Sequence, residues 1–322
     1  DVSMSDDRHW AYLGDMFWDI DAPEPAVRAY EEATRRGSTD PDVPLRLADL
    51  YADEERYWDA AEQFERAGRL APADNHIWGA VTEAWMGLGA WDRAAHAAAR
   101  TAKLTPNDPR VWATLGAVHR EAGDPGEALR AFEKARNLDP DDPLHWLNLG
   151  GLQLDLGLPD EARQSYKRAA SLDTDEVEAV TGMVAAAYDL GDVELAARLA
   201  RRALALDPEH PDSLYNLGVV SLSLHDAVTA EEAFTKALVI DPENAHLLAG
   251  LATAQLLQGD LQTALSTAEA ALKYESSDAE LVLEFTQFLF RHGGAQTVLE
   301  FVSRVECEDP IWSVVVPVFE YL

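Results

Sequence analysis

The chain has 322 residues, 47% of them hydrophobic, and carries 58 acidic against 26 basic side chains for a formal net charge of −32. That length and apolar content are ample for a large core, so the acid coats a folded chain and does not mark disorder. A surface this negative repels phosphate backbones and anionic lipid, which excludes nucleic-acid binding as a main function and disfavours membrane association.

Residues 1–6 read as an N-terminal extension. From Asp7 onward the chain repeats every 34 residues. Trp10, Trp78, Trp112 and Trp146 share one slot of the period, with Pro44 in the intervening one. An alanine then recurs without a miss, at Ala26, Ala60, Ala94, Ala128, Ala162, Ala196, Ala230 and Ala264. Four residues further on stand Tyr30, Phe64, Ala98, Phe132, Tyr166, Ala200, Phe234 and Ala268. Repeats close with Pro72, Pro106, Pro140, Pro208 and Pro242. Apolar residues at three- and four-residue spacings predict two amphipathic helices per repeat. Gly89, Gly123, Gly157, Gly191, Gly259 and Gly293 suit a left-handed turn between them. The period divides the chain into 7–40, 41–74, 75–108, 109–142, 143–176, 177–210, 211–244, 245–278 and a degenerate 279–312, where Val298, Val302 and Val305 replace the alanine–aromatic–alanine series. Residues 313–322 form an apolar C-terminal segment, expected either to cap the ninth repeat or to meet a second chain.

This pattern resembles the tetratricopeptide repeat family. The resemblance implies an all-α, right-handed superhelical α-solenoid of antiparallel helix pairs, about eighteen helices in all. One helix pair cannot bury its own apolar face, so neighbours must stack.

Chemistry-bearing patterns are lacking. None of the nine histidines forms a metal-ligand pair by spacing, paired carboxylates such as Asp141–Asp142 read as solvated coat, and the glycines are periodic rather than a phosphate loop. Cys307 stands alone, which excludes an intrachain disulfide framework and a cysteine-rich zinc site. No apolar run approaches the roughly 18 residues of a membrane span, and no signal peptide is visible. The expectation is a non-enzyme without metal or cofactor. A cytoplasmic location is expected, with leader removal ahead of Asp1 left open.

The resemblance further implies that the first helix of each repeat lines a concave, peptide-binding groove. In the first three repeats the groove positions carry Asp15, Asp19, Asp49, Asp53 and Glu83, an acidic mouth. From the fifth repeat on they carry uncharged residues, among them Leu147, Asn148, Leu154, Tyr188, Tyr215, Asn216 and Leu222. Some of these pack against a neighbouring helix in the simplest reading. The preferred reading is an apolar floor in which Asn148 and Asn216 hold the backbone of an extended peptide through their amides. The expected partner is a protein or peptide with basic residues beside an apolar stretch, bound by a scaffold or adaptor. Two alternatives stand beside it. One is the substrate-recruiting arm of a larger, glycosyltransferase-like enzyme. The other is a self-assembling scaffold joined through its C-terminal end.

Overall fold

The computed structural model describes residues 7–274. Eight helix pairs follow one another there, and no strand occurs among the described residues. In the first four repeats these are α1 (Asp7–Asp19), α2 (Pro23–Arg35), α3 (Asp42–Asp53), α4 (Tyr57–Leu70), α5 (Asn75–Gly87), α6 (Trp91–Leu104), α7 (Pro109–Glu121) and α8 (Pro125–Leu138). The next four repeats contain α9 (Pro143–Asp155), α10 (Pro159–Leu172), α11 (Val177–Asp189), α12 (Val193–Leu206), α13 (Pro211–Ser223), α14 (Ala227–Ile240), α15 (Ala245–Leu257) and α16 (Leu261–Tyr274). The predicted ninth repeat, Cys307 and the segment 313–322 lie outside the described residues. Among the described residues no helix is long and apolar enough to cross a membrane.

The chain divides into two compact bodies, Asp1–Leu152 and Gln153–Leu322. In the first, α1 packs on α2, α3 on α4, α5 on α6 and α7 on α8, and each second helix through α6 also packs on the first helix that follows it. The second repeats this scheme from α10 to α16. There α11 also touches α13, and α13 touches α15, so consecutive first helices line one side.

Two positions of the second helix explain the packing. The recurring alanines from Ala26 to Ala264 are at most 3% exposed. Four residues on, the rings of Tyr30, Phe132 and Phe234 are buried and lie against the glycines of first helices. A Cβ built on Gly14, Gly116 or Gly218 would come within 2.4–2.5 Å of those rings. Glycine is required there because the aromatic ring occupies the space of its missing side chain.

The tryptophans do more than fill gaps between repeats. The indole N–H of Trp78 donates to the Pro72 carbonyl at 3.3 Å, Trp112 to Pro106 at 2.9 Å and Trp146 to Pro140 at 2.8 Å. Each ring thereby pins the turn that delivers its own helix. Aspartates then cap the helix starts: the Asp74 carboxylate accepts from the His76 and Ile77 amides, and Asp108 from Arg110.

Between the two helices of a repeat one residue takes a left-handed conformation. Five are the anticipated glycines Gly89, Gly123, Gly157, Gly191 and Gly259. Where the sequence lacks glycine the backbone does the same: Asp21, Glu55 and His225 have φ of 54°, 61° and 58°. The turn geometry is set by the packed helices, and these three side chains accept the strain.

Candidate functional site

The first helices carry the anticipated groove residues, and the structure separates free charges from engaged ones. Asp15 is engaged. The Tyr30 hydroxyl donates to its Oδ1 at 2.8 Å, the Arg46 guanidinium donates to the same oxygen, and Arg46 also lies 3.3 Å from the Tyr30 hydroxyl. Burial, with the Asp15 carboxylate adding to it, pushes the Tyr30 phenol up to about 12. Asp15 therefore joins the first repeat to the second and is not a free acid at a mouth. Asp19, Asp49, Asp53 and Glu83 are exposed. Partial desolvation, and then the charge of Asp53 one turn away, raise the Asp49 carboxyl above its ordinary range. The two negative charges, one turn apart, repel each other.

A cleft of about 510 Å³ opens between α5, α6 and α7. Gly79, Ala80, Thr82 and Glu83 form one wall, Ala98 and Thr101 the base, and Val111 and Thr114 the other wall. At its base Ala98 stands in the slot that Tyr30, Phe132 and Phe234 fill elsewhere. The positions that are glycine against those rings are threonine here: Thr82, 2% exposed, is the equivalent of Gly116 and Gly218, and Thr114 of Gly250. Gly79 lies at another position of the period, and a Cβ there would meet nothing within 4 Å. The rim is polar. Asp108 and Arg110 pair at 2.9 Å across one edge, and the guanidinium holds that carboxyl below its ordinary range. Glu83 supplies the free negative charge.

In the second body the uncharged residues take mixed roles. Tyr188 and Tyr215 are 37% and 40% exposed. The Tyr188 hydroxyl meets Ser223 Oγ at 3.0 Å, and the Tyr215 ring stands edge-on to Phe234 with centroids 6.3 Å apart. Leu222 packs into the cluster of Leu214, Phe234 and Leu247, so it is partly a core residue. Asn216 is half-buried on α13, and Leu154 is half-buried on α9. Leu147 and Asn148 precede Leu154 on the same helix, in its first-body portion, and are likewise half-buried. The groove pattern alone does not reveal the cleft at Ala98. The aromatic series breaks at Ala98, Ala200 and Ala268 alike; what sets the third repeat apart is threonine, at Thr82 and Thr114, where Gly218 and Gly250 face the Phe234 ring.

Family models described as tetratricopeptide repeat match residues 1–144, 114–176 with 182–245, and 221–283. Among solved structures, a tetratricopeptide repeat protein from Parabacteroides merdae is 14% identical with a TM-score of 0.63, over 77% of this chain and 98% of that one. Cut9–Hcn1 of the APC/C is 18% identical with a TM-score of 0.60, over 92% of this chain and 59% of that one. The type IV pilus biogenesis factor PilW is 20% identical with a TM-score of 0.56, over 65% of this chain and 98% of that one. At these identities the likeness concerns the fold. The chain spans just under three fifths of the Cut9–Hcn1 chain it matches. Comparison with curated proteins gave no match.

Proposed function

Since the chain belongs to the tetratricopeptide repeat family, we propose that it is a non-catalytic scaffold that binds a peptide or protein segment along its first helices. The observation that carries this reading is the cleft at Ala98. It is a vacancy of about 510 Å³ where Gly79, Ala80, Ala98 and Val111 lie among threonines, with an exposed carboxylate at Glu83 and the Asp49–Asp53 pair in the repeat before it. A peptide with an apolar residue to enter the vacancy and a basic residue beside it answers both features. In the second body Tyr188, Tyr215 and the Asn216 amide offer a second uncharged stretch, suited to the backbone of an extended segment.

The test is selection of a random peptide library on the purified chain, with the Ala98→Phe variant as counter-screen. Enrichment of sequences with Lys or Arg next to an apolar residue, weakened at least tenfold by Ala98→Phe and by Glu83→Lys, is the expected outcome. No enrichment, or equal binding by both variants, overturns the reading.

A further inference from the structure

We infer that Asp139, Asp142 and His145 form a binding site for a divalent transition-metal cation of the zinc class, built into the junction between α8 and α9. The three side chains are spaced three apart along the turn, and one ligating atom from each lies within 4.8 Å of the other two. Acidic groups near one another are ordinary in so acidic a chain. The imidazole is not ordinary. His145 is 1% exposed, and neither ring nitrogen has a hydrogen-bond partner. A buried polar group left without a partner is costly, and it calls for a ligand or ion to explain it. Its Nε2 lies 3.7 Å from Asp142 Oδ2, too far for a hydrogen bond. Two ligands bound tetrahedrally to zinc are roughly 3.3 Å apart, so a shared cation fits between them with a shift of a few tenths of an ångström.

The other repeats show what this position otherwise holds. Val43, Ile77, Ala179 and Leu247 occupy the slot of His145 and are buried apolar anchors. Ser213, the other buried polar residue in that slot, is satisfied by the Thr181 hydroxyl at 2.8 Å. His145 has no such partner in its own repeat.

The turn is also held ready. The Asp142 Oδ1 accepts from the Leu144 amide at 2.9 Å, which leaves Oδ2 toward the imidazole. Asp139 Oδ1 accepts from the Asp141 amide at 3.3 Å. Behind them the Trp146 indole anchors Pro140, and the Arg136 guanidinium lies over that ring at 5.2 Å. Carboxylates fixed through one oxygen present the other with little freedom to lose.

One imidazole nitrogen and two carboxylate oxygens suit first-row divalent ions. Calcium and magnesium prefer all-oxygen shells, and cuprous ion prefers sulfur. The two carboxylates balance the charge of a dication, and water completes the coordination. Such an ion ties the end of α8 to the first turn of α9.

The experiment uses the full chain, stripped by chelator and titrated with Zn(II) in excess Mg(II), which occupies the acidic coat. One zinc per chain is expected by calorimetry, with a rise in melting temperature. Co(II) should give visible bands perturbed by the imidazole. His145→Val copies the residue of the second repeat at that slot and should abolish the site. Asp142→Asn keeps the helix cap and should weaken binding by more than the roughly 10–100-fold typical of losing a supporting contact. Asp74→Asn, the equivalent cap of α5, should leave affinity unchanged. Absence of stoichiometric zinc on the parent, or parental affinity in Asp142→Asn, overturns the proposal. Both of those outcomes are decisive even if His145→Val fails to fold.

Discussion

The seventh repeat and the third show the same helix pair closed and open. In the seventh, Phe234 is fully buried and lies against Gly218 of its own repeat and Gly250 of the next, where a Cβ would stand 2.5 Å from the ring. In the third, Ala98 takes the aromatic slot, Thr82 and Thr114 take the two glycine positions, and a cleft opens between α5, α6 and α7. Backbone and period are alike, and the alanine at the close helix contact is buried in both, as Ala230 and Ala94. The difference teaches that the alanine at the close helix contact is constant, while the aromatic slot and the positions facing it change together between these two repeats.

The most severe way to test this is to open the closed repeat. Phe234→Ala should cost about 3–5 kcal/mol by the transfer and cavity terms together, measured by denaturant unfolding. Loss of hydrogen-exchange protection should begin in α13, α14 and α15 and spread only later, because each repeat leans on its neighbours. A smaller effect comes from the glycines. Gly116→Ala drives a methyl group into the Phe132 ring and should cost about 1–3 kcal/mol. Gly79→Ala, at a first-helix position that no ring covers, meets empty space and should gain up to about 1 kcal/mol from helix propensity alone. If the two glycine variants behave alike, the contact between Gly116 and the Phe132 ring is not what requires glycine.

The contrast is half legible in the sequence. The 34-residue period marks where the described first helices begin, because each apolar stripe restarts at the same phase, and the glycine slots name five of the turns that need a positive φ. Asp21, Glu55 and His225 take the same conformation without the residue that signals it. Such strain is imposed by packing, so no local pattern announces it. The groove is less readable. Asp15 looks like any other carboxylate in a chain of 58, and only Tyr30 and Arg46, 15 and 31 residues away, show that it is engaged. His145 sits in no ligand motif. Its burial, and the convergence of Asp139 and Asp142 on it, exist only once α8 and α9 are joined by their turn.

Junction chemistry supplies a gentler check on the same separation of fold from site. His225→Gly should stabilise the chain by about 1 kcal/mol, since glycine adopts positive φ without the penalty of a Cβ. The cleft at Ala98 should be unaffected.

The smallest effect expected is a pH dependence at the start of α11. A hydrogen bond shared with Glu178, followed by burial and nearby negative charge, raises the Glu176 carboxyl to about 7. An acid whose folded pKa lies above its unfolded value binds its proton more tightly when folded. Its contribution is complete below the ordinary glutamate range and is lost as pH rises through about 7. Glu178, held below its ordinary range by the same bond, acts in the opposite sense at the acid end. Melting temperature should therefore decline between the ordinary glutamate pKa and neutrality, and Glu176→Gln should flatten that decline.

The bonds that join one repeat to the next reach no further than about one period along the chain: 20 residues from Tyr51 to Glu31, 31 from Arg46 to Asp15, 32 from Thr181 to Ser213 and 35 from Tyr188 to Ser223. A nascent chain emerging from the ribosome never has to wait for a distant segment. Each helix pair finds its partners as soon as one more period has been synthesised, so the loop to be closed does not lengthen as repeats accumulate. Gene duplication can therefore extend such a protein without slowing its folding, and the time a repeat spends exposed is governed by the pace of translation.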